Sequence, residues 1–97
     1  MATYVTLYRW TEQGIKNFRD TPDRAKAAIA QAEKMGGKIT QLLWTSGEYD
    51  LVGIAEFPDD QSVSAFNLAL ASNGNIRSTT MRAYNEREMT AIIAKTR

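Results

Sequence analysis

Lys38-Ile39-Thr40-Gln41-Leu42-Leu43-Trp44-Thr45-Ser46-Gly47-Glu48-Tyr49-Asp50-Leu51-Val52-Gly53-Ile54-Ala55-Glu56-Phe57 holds two apolar runs with no helical segment between them. Lys38 to Thr45 has the β-branched and aromatic content of a strand, and so does Tyr49 to Phe57. Ser46-Gly47-Glu48 is short enough to join them as a hairpin, with Gly47 supplying a positive φ. On the N-terminal side, Thr3 to Trp10 reads as a first strand. Thr11-Glu12-Gln13-Gly14 breaks that pattern, and Ile15 and Phe18 share one face of a short turn. Asp20-Thr21-Pro22-Asp23 predicts a helix start. Thr21 can cap it, Pro22 loses nothing at the first helical position, and Asp23 meets the positive end of the dipole. Ala25, Ala28, Ile29, Ala32 and Met35 then recur at helical spacing, and Gly36-Gly37 ends the helix.

On the C-terminal side, Pro58-Asp59-Asp60 stops the third strand and caps a second helix. Val63, Phe66 and Leu70 mark its buried stripe, and Asn73-Gly74 closes it. Ile76 to Tyr84 is a fourth strand. Glu86 to Lys95 predicts a terminal helix burying Met89, Ile92 and Ile93. The order βαββαβ with a C-terminal helix gives an α+β, ferredoxin-like fold. Right-handed crossovers then set two helices on one face of a four-stranded antiparallel sheet.

The chain has 97 residues, which is one domain spanning 1–97. It has no histidine and no cysteine. That excludes a thiolate nucleophile, a Ser-His-Asp triad, a His general base and a proximal-His haem. A disulfide framework is excluded too, and a zinc site built from carboxylates alone is not expected. The formal charge is +1, but unevenly spread: +3 over 1–38, −5 between Lys38 and Arg77, and +3 over 77–97. An acidic middle cannot wrap a polyanion. The N-terminal residues lack a signal-peptide pattern, and no apolar run approaches the ~20 residues of a membrane span. A cytoplasmic location is the default expectation, with no membrane partner.

Alternation leaves both faces of the sheet apolar. Val5 and Leu7 share one face of the first strand, and Tyr4, Thr6, Tyr8 and Trp10 the other. Leu51, Gly53, Ala55 and Phe57 alternate with Val52 and Ile54 in the third. Two helices cover one face only, and these two apolar rows do not say which. A second copy of the chain is the simplest cover for the other face. The alternative is the tail helix folding back, although one short helix cannot cover four strands.

Thr3-Tyr4-Val5-Thr6-Leu7, Trp10-Thr11-Glu12-Gln13-Gly14-Ile15, Trp44-Thr45-Ser46-Gly47-Glu48-Tyr49-Asp50 and Asn73-Gly74-Asn75-Ile76-Arg77 resemble the GYD family of small proteins. Gly47, Tyr49 and Asp50 match its Gly-Tyr-Asp motif. The resemblance covers nearly the whole chain. It implies a ferredoxin-like domain of the dimeric α/β-barrel kind, in which two sheets face each other, and it implies no particular activity. Gly47 to Val52, followed by Pro58-Asp59, is also similar to the effector-sensing domain of leucine-responsive transcription regulators. That second likeness implies a small ligand held between subunits. No DNA-binding helix-turn-helix precedes the domain in this sequence.

The candidate ligand-binding residues are Thr6, Tyr8, Trp10, Trp44, Tyr49, Asp50 and Arg82. Asp50, near a glycine turn, can orient a ligand amine or accept a proton. The favoured reading is that it accepts backbone hydrogen bonds and locks the hairpin. Trp10 and Trp44 can line a pocket or fill an interface. Arg82 can clamp an anion or pair with a carboxylate across the sheet. Three functions are open. The first is a homo-oligomer, dimer or higher, binding a small-molecule ligand in a pocket between facing sheets. The second is a cofactor-independent enzyme of the same superfamily, monooxygenase-like or isomerase-like, although no acid/base pair stands out. The third is RNA binding, which Tyr49-Asp50-Leu51-Val52-Gly53-Ile54 opposes by its acidity. No nucleic-acid partner and no cofactor are therefore expected.

Overall fold

Thr3 to Trp10 forms the strand that its residues predict, within β1 (Ala2–Trp10). In the computed structural model, which describes residues 1–97, the chain continues through α1 (Glu12–Lys16), a 3-10 turn (Phe18–Asp20) and α2 (Thr21–Lys34). It then runs through β2 (Lys38–Trp44), β3 (Leu51–Phe57), α3 (Asp60–Ala71), β4 (Ile76–Ala83) and α4 (Glu86–Ala94). The strands form one antiparallel sheet in the order β2-β3-β1-β4, the ferredoxin-like arrangement. Crossovers through α2 and α3 put β1 and β3 in the centre.

Register decides what the helices cover. Tyr4 lies opposite Ala55, Thr6 opposite Gly53 and Tyr8 opposite Leu51. Tyr4, Thr6 and Tyr8 are buried, so this row faces α2 and α3. The small Gly53 makes room for a large ring: a Cβ there would stand 3.3 Å from Tyr8 Cε2. Val5, Leu7, Val52 and Ile54 take the opposite face. The core proper is Tyr4, Ala32, Phe57, Val63 and Phe66, gathered toward one end of the sheet. Phe57 and Phe66 pack with ring centroids 5.2 Å apart.

Several local expectations change. Residues 12–16 form a helical turn rather than a plain break, because Thr11 caps it by accepting from Gly14 N at 3.1 Å. Thr21 lies inside α2 rather than capping it: its Oγ1 instead accepts from Trp44 Nε1 at 3.0 Å. Tyr49 and Asp50 lie outside β3, so the β2–β3 connection is longer than Ser46-Gly47-Glu48. Asp59 caps α3 as expected, accepting from Ser62 N at 2.8 Å.

The terminal helix is the main correction. α4 begins with a capping box between Asn85 and Glu88, but it makes no substantial packing contact with any other element. Met89 and Ile93, expected to be buried, are 47% and 56% exposed. The helix extends a molecule measuring 51 × 30 × 18 Å rather than folding back over the sheet.

The Gly36-Gly37 pair does two jobs. Gly36 takes the left-handed conformation at φ +83°, ending α2. Gly37 lies against the buried Phe57 ring, and a Cβ there would overlap Phe57 Cε1. Gly37→Ala is expected to destabilise the fold by about 1–3 kcal/mol, since a packed ring cannot yield cheaply. Urea unfolding checks this: the midpoint should fall with the slope unchanged.

Candidate functional site

The motif stretches that are far apart in sequence meet at one end of the sheet. Asp50 Oδ2 accepts the backbone N–H of Trp10 at 2.8 Å, and Asp50 N donates to Tyr8 O at 2.8 Å. Thr45 N donates to Asp50 O at 2.9 Å, and Thr45 Oγ1 donates to Tyr49 O. This ties the β2–β3 connection to the end of β1. From the other side, Thr11 N donates to Asn75 O at 3.0 Å, and Thr11 Oγ1 donates to Gly74 O. Gln13 Nε2 reaches both Asn73 O at 3.0 Å and Asn75 Oδ1 at 2.9 Å. Gly14 must be glycine here, since a Cβ would overlap Asn75 O.

The seven candidate residues do not form one cluster. Thr6, Tyr8 and Trp10 project to the helix-covered face, not to the open one. Thr6 Oγ1 is paired with Thr80 Oγ1 at 2.9 Å, and Asn67 Nδ2 donates to Thr80 Oγ1 at 2.7 Å. Tyr8 and Trp10 line a cavity of about 370 Å³ between the sheet, α2 and the end of α3. Trp44 stands on the edge strand, braced against Thr21. Tyr49 lies in the connection, its ring under the Arg9 guanidinium at 4.7 Å, and Arg9 also meets Glu48 at 3.5 Å.

Arg82 is remote from these, beside α4. It pairs with Glu88 at 3.2 Å, donates to the carbonyls of Thr3 and Ala83, and lies over the Tyr84 ring at 4.6 Å. Its carboxylate partner is thus on α4, not across the sheet. Hydrogen bonds from Asn85 N and then Arg82 hold the Glu88 carboxyl below its ordinary value. Sequence reasoning missed Tyr4, which donates to Asp60. Burial, then the Asp60 hydrogen bond, pushes the Tyr4 phenol up to about 12. Burial also raises Tyr8, against a lowering hydrogen bond with Thr6. Neither phenol is a base at neutral pH.

The open face is the other feature of note. Val5, Leu7, Val52 and Ile54 form its partly exposed centre, flanked by Leu43 at 51% and Met81 at 44% exposure. An apolar centre on an uncovered sheet departs from the polar outer row expected of a solvated face.

A split βαβ sheet, clasped at one end by its own motif stretches, defines a ferredoxin-like α+β domain. The GYD domain profile matches residues 4–93, and the chain belongs to the GYD domain family. A relative from Thermus thermophilus is 29% identical over 84 residues, 86% of this chain and 88% of that protein. It carries the name glutamine synthetase and cystathionine beta-lyase binding protein. The crystal structure of FFRP-DM1 shares the fold with a TM-score of 0.63 at 19% identity, covering 87% of this chain and 100% of that one. That of TTHA0845, also from Thermus thermophilus, does so at 0.57 and 18%, covering 88% and 95%.

The Asp50 clasp makes a testable distinction. Asp50→Ala removes a charge-assisted acceptor and is expected to cost about 1–2 kcal/mol, whereas Asp50→Asn keeps an acceptor and recovers most of it. Thermal or urea unfolding of the two variants reads this directly.

Proposed function

We propose that this GYD-domain chain works as a homo-oligomeric binding protein whose copies close their open sheet faces on one another. The observation that carries the reading is the pair of uncovered apolar surfaces: the Val5, Leu7, Val52 and Ile54 centre, and the Met89 and Ile93 stripe of α4. One two-fold operation supplies a cover for both at once. The second sheet lies on the first, and each α4 reaches the partner's edge. A single chain has no element left to do this, because α4 stands away from the sheet. In such an assembly, a ligand between the sheets would meet that apolar row rather than Thr6, Tyr8 or Trp10.

Light scattering on the eluting protein is expected to return at least twice the 10.9 kDa chain mass. Ile54→Lys places a charge at the centre of the contact and is expected to give a folded monomer. A wild-type monomer overturns the reading.

The relative's name supports a further element, that the assembly docks on a metabolic enzyme. Co-elution with glutamine synthetase or cystathionine beta-lyase purified from the same organism is expected for at least one of the two. Independent elution of both removes that element and leaves self-association standing.

A further inference from the structure

We propose that the cavity on the helix side of the sheet is a binding site for a small organic monocarboxylate with an apolar body. Its volume of about 370 Å³ lies within the usual range of ligand pockets and would hold roughly a dozen waters. The space exists because α2 and α3 present Ala25, Ala28 and Ala69 where larger side chains would meet the sheet. Interiors normally pack without such gaps. Ile39, Leu42, Leu51 and Ile76 complete apolar walls suited to a hydrocarbon or aromatic body.

Its polar groups ask for an acceptor. Trp10 lines the cavity, and its indole Nε1 is buried with no hydrogen-bond partner. A buried donor left so is costly, and the cost is relieved when a ligand supplies an oxygen. Arg24 is the only charged residue in the lining. Its guanidinium donates to two neutral carbonyls, Asn17 O at 2.8 Å and Gly14 O at 3.3 Å, and pairs with no carboxylate. An unpaired cation and an orphaned N–H donor, with no acidic side chain in the cavity lining, favour an anion carrying few oxygens. A carboxylate fits that donor pair, one oxygen to the indole N–H and the charge toward the guanidinium. The site lies on the opposite side of the sheet from the proposed self-association surface. A monomeric protein would therefore leave this proposal untouched.

Nitrogen-15 NMR of the full chain tests it, with phenylacetate and hexanoate as anionic probes and methyl phenylacetate as the uncharged control. The Trp10 indole signal is identified by its loss in Trp10→Phe. It is expected to move saturably on adding either anion. Arg24→Gln should weaken phenylacetate about tenfold and leave the methyl ester nearly unchanged. Ala28→Leu and Ala69→Leu fill the space from opposite helices, and each is expected to abolish the shift while leaving the remaining spectrum folded. Two variants are used so that misfolding of one does not remove the test. An unmoved Trp10 signal up to ~10 mM of both anions overturns the proposal, since it leaves only solvent in the cavity. A shift that survives in a folded cavity-filled variant overturns it equally.

Discussion

The hydrogen bond from Trp10 N–H to the Asp50 carboxylate fixes how the central strands meet. It lies just beyond the last β1–β3 pair, Tyr8 opposite Leu51, and Asp50 N closes the ladder onto Tyr8 O. Strand side chains alternate with period two, so a slip of one residue would exchange the two faces of β1 entirely. Holding Asp50 against Trp10 commits Tyr4, Thr6 and Tyr8 to the helices, and Val5 and Leu7 to the open side. The core, the cavity and the uncovered face follow from that commitment. The Gly-Tyr-Asp stretch therefore acts as a structural clasp.

The space between helices and sheet is unequal along its length. Around Phe57 and Phe66 it is closed by aromatic packing, with Gly37 placed so that the ring can lie against the chain. Toward Trp10 the helices present alanines, and the volume stays open. One end is built as a core and the other as a container. The container sits where the motif stretches converge, between strand ends pinned by Asp50 on one side and by Asn75 on the other.

The acidic middle of the chain dissolves into local tasks. Asp50 closes the hairpin, Asp59 caps α3, Asp60 receives the Tyr4 hydroxyl, and Glu48 meets Arg9. Glu56 stands in register with Lys38. At the other end of the molecule, Arg82 and Glu88 fasten the start of α4 and leave its apolar stripe free. The helix is thus fastened at its first turn and unpacked against its own chain beyond it.

The sequence by itself determined the order of the four strands, the two crossover helices and the terminal helix, though not the short α1, together with the glycine end of α2, the Asp59 cap and the apolar character of both sheet faces. These depend on local conformational preference and on period, which neighbouring residues carry between them. It did not determine which face the helices take, since both rows of β3 are apolar. Nor did it show that Thr21 serves Trp44, or that Asp50 reaches Trp10, forty positions away. The burial assigned to Met89 and Ile93 followed correctly from an amphipathic pattern, yet that pattern specifies a surface to be covered and not what covers it. The alanines of α2 read as a core stripe, and only their distance from the sheet made them the wall of a cavity. Such outcomes rest on contacts between segments remote in sequence, and those are settled when the whole chain packs.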